Sequence, residues 1–245
     1  MPKFYFTHDL WEHWALANFK DRIRGKCLVP RRQTPDTRII VLTRDPRDVV
    51  VSLFFQMTKR DQRFQGSLSE MIRHPTFGID LIVDIMNAWT ATWGGRSNFT
   101  LLRYGDFRSD PEKEFRALLA FLGFHDIDDV IFAQSLEASH FENMKIMEAS
   151  NFENMKTVAL SRKVRTGTLL PGDIRDPESF KVRRGIVGGY KDYLTLDDMD
   201  YLNGAIARLD TRYGYNGDKE HAFAEPRAET QAEESLGLGR EFHGS

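Results

Sequence analysis

The chain has 245 residues, 41% of them hydrophobic, and its formal net charge at pH 7 is −2. This length and composition allow one sizeable globular domain, and the near-neutral charge excludes a general attraction to nucleic acid. The single cysteine, Cys27, excludes an internal disulfide and a cysteine-rich zinc site, and no apolar run approaches membrane-spanning length, so we expect a cytoplasmic protein without membrane contact.

Strand and helix patterns alternate along the first part of the chain. Lys3–Thr7 and Arg38–Thr43 have the composition of strands, and Leu10–Arg24 has the spacing of an amphipathic helix. A second helix is predicted over about Pro46–Arg60. Because Ile39–Leu42 is apolar throughout, we expect this strand to be buried on both faces of a parallel sheet.

The alternation continues through the middle of the chain. A helix is predicted over about Gly78–Trp93, followed by a strand at Phe99–Arg103. Asp110 and the proline after it predict the start of another helix, which Gly123 closes. Strands separated by helices predict an α/β fold in three layers, with a parallel sheet flanked by helices.

The strand that ends at Thr43 passes directly into a helix, and this junction has the features of an anion site. Asp45 can accept hydrogen bonds from free N–H groups at the helix start, and Pro46 suits the first helical position. Arg44 adds a guanidinium group suited to phosphate, and Ser52 can supply a hydroxyl about two turns later. Arg47 is expected to point to solvent.

Three segments in order carry a resemblance to a known family. The segment Thr43–Ser52 resembles the 3′-phosphate-binding segment of sulfotransferases that use 3′-phosphoadenosine 5′-phosphosulfate. The stretch Leu101–Phe107 is similar to the family's strand and adenine-side turn, and Phe180–Lys191 is similar to its R-K-G-x-x-G-D-W-K loop. The resemblance covers roughly residues 3 to 213 and implies the P-loop NTPase-like sulfotransferase fold.

The resemblance also implies a set of nucleotide contacts. In the family, the corresponding positions bind the 3′-phosphate or the adenine of the co-substrate, and no metal is required. The residues carried over are Arg44, Ser52, Tyr104, Ser139, Phe141, Arg183, Arg184 and Gly185. Paired arginines suit an anion, and glycine permits close approach of the backbone to a phosphate.

An internal repeat leaves two of these positions open. Residues 138–145 and 149–156 are similar to each other at a spacing of eleven residues, close to three helical turns. Ser150 and Phe152 could therefore contact the adenine as well as Ser139 and Phe141. We expect one domain over residues 1–216, and residues 217–245, rich in Glu, Ala and Gly, are predicted to form a disordered tail.

His8 is the candidate catalytic base. It follows a predicted strand where the family has a histidine that takes the proton from the acceptor hydroxyl, and imidazole has a suitable near-neutral pKa. The alternative is an ordinary surface or capping histidine. No stretch of the sequence matches the family's P-K-S-G-T-T-W-like loop, so we expect a chain that lacks the N-terminal phosphosulfate-binding element.

The resemblance therefore predicts transfer of a sulfonate group from the nucleotide to a hydroxyl or amine of a small acceptor. The alternative is an inactive sulfotransferase-like remnant that binds adenosine bisphosphate or a partner protein. The segment Lys191–Asp200 resembles the short segment through which many cytosolic sulfotransferases form dimers. The same residues also suit the start of a helix, with Thr195 as its cap.

Overall fold

A computed structural model describes residues 37–144, 173, 175–180 and 183–216, and every structural statement below concerns these residues. The predicted strand Lys3–Thr7, the predicted helix Leu10–Arg24 and the predicted tail 217–245 lie outside them.

The two described strands form a parallel pair. β1 (Ile39–Thr43) lies beside β2 (Phe99–Arg103), in a register that sets Ile39 opposite Phe99 and Thr43 opposite Arg103. Both strands and their parallel direction were expected from the apolar, β-branched runs. Burial on both faces is wrong at Leu42, which is 65% exposed because it faces a cavity beyond the end of the sheet.

The predicted strand-to-helix junction is confirmed. α1 (Pro46–Phe55) has proline in its first turn, and the carboxylate of Asp45 caps it by accepting the backbone N–H of Arg47 at 2.9 Å. The helix continues as a π-helical turn over Gln56–Arg60, so the predicted end at Arg60 is correct although the last turn is wider than expected.

Five helices form the middle of the described chain. α2 (Leu68–Ile72) was not expected, although Ser67 and Glu70 form the capping box that marks its start. The other four are α3 (Ile79–Trp93), α4 (Tyr104–Ser109), α5 (Pro111–Phe121), which Asp110 caps as predicted, and α6 (Asp129–Ala138).

The C-terminal part consists of one helix and three single turns. α7 (Leu196–Ile206) begins at the predicted cap Thr195, whose hydroxyl accepts the backbone N–H of Asp198 at 3.2 Å. Short 3-10 turns lie at Pro177–Ser179, Gly189–Asp192 and Thr211–Tyr213.

Burial of apolar side chains holds α1, α2, α3 and α7 together. The core includes the fully buried Val50, Val83 and Leu202, one from each of three helices. Tyr190 from the Gly189–Asp192 turn belongs to the same core. The packing therefore fixes the loop before α7 against the first helix of the described chain, 140 residues earlier.

Candidate functional site

A cavity of about 450 Å³ lies where β1 and β2 end. This is the edge at which α/β sheets bind ligands. It is lined by four segments that are distant in sequence: the β1–α1 junction, the start of α4 at Tyr104, the residues after α6 around Phe141, and the loop before α7. The lining residues are Leu42, Thr43, Arg44, Asp48, Val49, Ser52, Tyr104, Phe141, Met144, Arg183, Arg184, Gly185, Ile186, Gly189 and Tyr193.

Seven of the eight predicted nucleotide residues line this cavity, and Ser139 does not. Ser139 ends α6, is exposed, and its hydroxyl donates to the carbonyl of Leu136 at 2.9 Å. The alternative pair from the repeat, Ser150 and Phe152, lies outside the described residues, as does the candidate base His8.

Arg44 lies at the centre of the lining. Its Nη2 donates to the carbonyl of Ile186 at 3.0 Å and lies 3.4 Å from a carboxylate oxygen of Asp48. Its guanidinium group also lies 5.2 Å from the centre of the Tyr104 ring. The Nε atom is buried without a hydrogen-bond partner among the described residues, so one donor of this cation is unsatisfied.

Ser52 lies on α1, about two turns after the start of that helix. It is half-buried and lines the cavity together with Val49 of the turn before. A helix repeats every 3.6 residues, so positions 45, 48, 49 and 52 share one face, and the sequence spacing alone places Ser52 beside the junction.

The loop that begins at Arg183 contributes two arginines in different surroundings. Arg183 is 13% exposed, pairs with Glu178, donates to the Tyr193 hydroxyl at 2.8 Å and lies 4.3 Å from the centre of the Phe55 ring. Arg184 is 35% exposed, donates to the same hydroxyl at 3.1 Å, and pairs with Asp192 at 2.6 Å. These hydrogen bonds raise the pKa of Arg184, which keeps it charged. Arg184 is therefore the more accessible of the two cations.

Gly185 is the position in this loop that only glycine fits. Its φ of +64° is unfavourable for other residues, and an added Cβ would lie 2.4 Å from the Phe141 ring. Phe141 is buried in this contact, and the guanidinium of Arg108 lies 5.0 Å from the centre of its ring. At Gly185 the backbone therefore lies in close contact with an aromatic ring, that of Phe141.

Arg47 does not point to solvent, so that expectation is wrong. Its guanidinium group makes paired hydrogen bonds to Asp45, at 3.0 and 2.7 Å, and a third to Asn203 of α7 at 3.0 Å. The side chain also lies over the Tyr190 ring at 4.8 Å. Arg47 joins α1 to α7, a contact between distant segments that the local sequence does not encode.

Sequence reasoning missed three residues that hold the site together, namely Asp48, Tyr193 and Glu178. The Asp48 carboxylate accepts the backbone N–H groups of Gly188 and Tyr190, at 2.8 and 3.0 Å. Burial raises the pKa of Asp48, although Arg44 and these N–H groups partly offset that effect. Tyr193 donates to Glu178 at 2.7 Å and accepts from both loop arginines. A signal for Asp48 was present, since an acidic residue among apolar ones on a buried helix face needs a partner.

Two general properties of the described chain bear on the site. None of its described helices is both long and apolar enough to cross a membrane. Within the same ranges, there is no group of three or more His, Cys, Asp or Glu side chains placed to hold a metal ion.

Two solved structures share this architecture. Mouse sulfotransferase SULT7A1 complexed with PAP has 19% sequence identity and a TM-score of 0.50, over 74% of this chain and 60% of that one. Retinol dehydratase, in complex with androsterone and the inactive cofactor PAP, has 20% identity and a TM-score of 0.54, over 76% of this chain and 52% of that one. The chain thus spans little more than half the length of these structures.

Comparison with curated protein sequences finds no significant match. Residues 26–213, most of the chain, match the family described as the sulfotransferase domain. This match agrees with the α/β fold and parallel strand pair, and with the resemblance of the three sequence segments. The chain therefore belongs to the sulfotransferase family.

Proposed function

We propose that the cavity binds the nucleotide part of 3′-phosphoadenosine 5′-phosphosulfate, and that the protein transfers its sulfonate group to a hydroxyl or amine of a small acceptor. The observation that carries this proposal is the convergence of Arg44 and Ser52 with Arg183–Gly185 around one cavity. These elements are more than 130 residues apart in sequence, yet each supplies groups that bind phosphate.

The roles follow from the chemistry of the lining. Arg44, Arg184 and the Ser52 hydroxyl would bind the 3′-phosphate, with Arg183 supporting the loop through its contacts to Glu178 and Tyr193. Tyr104 and Phe141 offer aromatic surface for the adenine. A phosphosulfate donor held in this way is positioned for in-line displacement at sulfur, with adenosine 3′,5′-bisphosphate as the leaving group, and orientation and charge stabilisation supply most of the acceleration.

We propose His8 as the general base. The acceptor oxygen or nitrogen forms a bond to sulfur while the bond from sulfur to the 5′-phosphate oxygen breaks, and His8 takes the proton that the acceptor loses. Its position after the predicted strand, and the near-neutral pKa usual for imidazole, support this role.

Binding is tested by calorimetry of the full chain with adenosine 3′,5′-bisphosphate. We expect saturable binding, and Arg184→Ala should weaken it about 10- to 100-fold, the usual range for a hydrogen bond to a charged group. Arg116→Ala is the matched control, because Arg116 is similarly exposed, at 40%, and is also engaged by carboxylates, those of Glu112 and Asp129, but does not line the cavity. No binding to the wild-type chain would contradict the proposal.

Transfer is tested separately, with donor carrying a radioactive sulfonate group and a panel of phenols, alcohols and amines. We expect labelled product, and His8→Ala should lower turnover about 10²- to 10⁴-fold with little change in bisphosphate affinity. Binding without transfer to any acceptor would favour the sulfotransferase-like binding protein over the enzyme.

Two further features are proposed for the protein. Lys191–Asp200 is proposed as a dimer contact; the exposure of Leu196, 86% of an apolar side chain, supports this. Leu196→Glu should then lower the mass measured by light scattering, and an unchanged mass would contradict the dimer contact.

We also propose a cytoplasmic location, which the single cysteine supports.

A further inference from the structure

One carboxylate in the wall of the cavity has an unusual set of partners. Asp48 is 2% exposed, and each of its two oxygens accepts a backbone N–H from the loop before α7. Oδ2 accepts from Gly188 at 2.8 Å and Oδ1 accepts from Tyr190 at 3.0 Å. The carboxylate thus joins α1 to a loop 140 residues away.

The same carboxylate contacts Arg44, the central cation of the cavity, at 3.4 Å. Arg44 in turn donates to the carbonyl of Ile186, so the loop is held at three backbone positions by two side chains of the β1–α1 junction. The held positions immediately follow Arg184 and Gly185. Any movement of Asp48 would therefore displace both phosphate-binding elements relative to each other.

Only a carboxylate can make these contacts. Its two oxygens are both acceptors, whereas the amide of asparagine would present an NH₂ group to one of the two N–H donors. Gly188 adopts a left-handed conformation with a φ of +76°, which turns successive N–H groups toward one acceptor. The loop therefore presents two N–H donors, and the Asp48 side chain presents the two acceptors that they require.

We propose that Asp48 is a positioning residue for the 3′-phosphate site, acting by locking the loop Arg183–Tyr190 and Arg44 into one arrangement. Asp48 lines the cavity, but both of its oxygens already accept backbone N–H groups and its charge would repel a phosphate, so we assign it no direct contact with the nucleotide. This inference rests on the proposed function, since it concerns the same cavity.

The test compares two ligands on one variant. Asp48→Asn should weaken adenosine 3′,5′-bisphosphate about 10- to 100-fold, the range for losing a hydrogen bond to a charged group. The affinity for adenosine 5′-phosphate should change less than about threefold, because this ligand lacks the 3′-phosphate that the locked arginines would bind. If Asp48 positions the 3′-phosphate site, the ratio of the two dissociation constants changes in the variant. If Asp48 only stabilises the fold, the ratio stays the same.

Asp198→Asn is the matched control. Asp198 is equally buried, at 2% exposed, and also has an arginine partner, Arg73, but neither residue lines the cavity. We expect it to lower the melting temperature without changing the ratio. Wild-type protein that fails to bind the bisphosphate would contradict the proposed function, whereas wild-type binding with an unchanged ratio in Asp48→Asn would overturn the positioning role alone.

Hydrogen exchange of the wild-type chain provides a test that does not depend on the variant folding. The amides of Gly188 and Tyr190 should be protected before ligand is added, because both are bonded to Asp48. Rapid exchange of these two amides in the folded, ligand-free protein would also overturn the proposal.

Discussion

Two equally buried aspartates, Asp48 and Asp198, occupy different kinds of surroundings. Asp48 lies in the wall of the cavity, with two backbone N–H donors and a guanidinium group at 3.4 Å. Asp198 lies where α2 meets α7, and it accepts from Arg73 and from the hydroxyls of Ser69 and Thr195, the last two at 2.8 Å. The region around Asp48 forms part of the candidate binding site, whereas the region around Asp198 only joins two helices.

The pKa values of the two carboxyl groups are shifted in opposite directions. Burial raises the pKa of Asp48, and its partners only partly offset this effect. Burial acts on Asp198 in the same direction, but the hydrogen bonds from Arg73, Ser69 and Thr195 outweigh it and lower the pKa. A buried charge that is incompletely stabilised is typical of functional sites, whereas one within a packing contact is usually satisfied.

The largest effect is expected at the cavity, from Gly185→Ala. The left-handed backbone and the clash with Phe141 together should cost about 2–5 kcal/mol, seen as loss of bisphosphate binding in calorimetry. Gly188→Ala is the matched control: it has a similar φ of +76° but open space around its added Cβ, so it should cost only about 1–2 kcal/mol. Equal effects of the two substitutions would show that the contact with Phe141 is unimportant.

At the helix junction, Arg73→Ala should lower the free energy of unfolding by about 1.5–3 kcal/mol. The substitution leaves Asp198 buried without its cationic partner, and that loss is typical of a hydrogen bond to a charged group. Urea unfolding measures the change, and calorimetry should give an unchanged dissociation constant for the bisphosphate. A weakened ligand affinity would break the distinction between the two regions.

Tyr193→Phe should have a smaller effect, confined to the cavity. It removes one hydroxyl that both loop arginines and Glu178 share, so binding should weaken by about 0.5–1.5 kcal/mol, or roughly 2- to 12-fold. Tyr201→Phe is a suitable control, because the Tyr201 hydroxyl also donates to a carboxylate, that of Asp80, outside the cavity lining. Equal affinities of both variants would contradict the role of Tyr193.

The smallest effect is a difference in pH dependence. The pKa of Asp198 is lowered by folding, so its contribution to stability is lost as pH falls through that value. The pKa of Asp48 is raised, so its contribution is present at low pH and lost as pH rises through the folded value. As the pH rises from about 4 toward 7, Asp48→Asn should therefore gain melting temperature relative to wild type, whereas Asp198→Asn should lose it relative to wild type as the pH rises toward about 4, the ordinary pKa of aspartate. Parallel curves for both variants would refute this assignment.

Local chemistry explains what the sequence predicted well. The cap at Asp45, Pro46 at the helix start and the apolar run of β1 each depend on a few adjacent residues, and all three are found. The helix at Ile79–Trp93 was expected for the same reason. Both predicted strands were also found, Phe99–Arg103 with its predicted bounds and Arg38–Thr43 one residue shorter at its start.

Contacts between distant segments explain what the sequence did not reveal. Arg47 was expected in solvent because its neighbours do not include Asn203 or Tyr190, which reach it from α7 and the loop before it. The partners of Asp48 are likewise 140 residues away. The family resemblance named seven of the residues that line the cavity, but it could not indicate which of Arg183 and Arg184 is the more accessible.

The pairing of β1 and β2 places Arg44 beside Tyr104, since each residue directly follows a strand end and Thr43 lies opposite Arg103. A slip of one residue would move one strand by about 3.3 Å and turn its side chains to the other face. The apolar contact of Ile39 with Trp93 lies at the opposite end of the same strands and opposes such a slip. A substitution of Ile39 or Trp93 would change no charged group of the cavity, yet it would misalign the Arg44 guanidinium group and the Tyr104 ring.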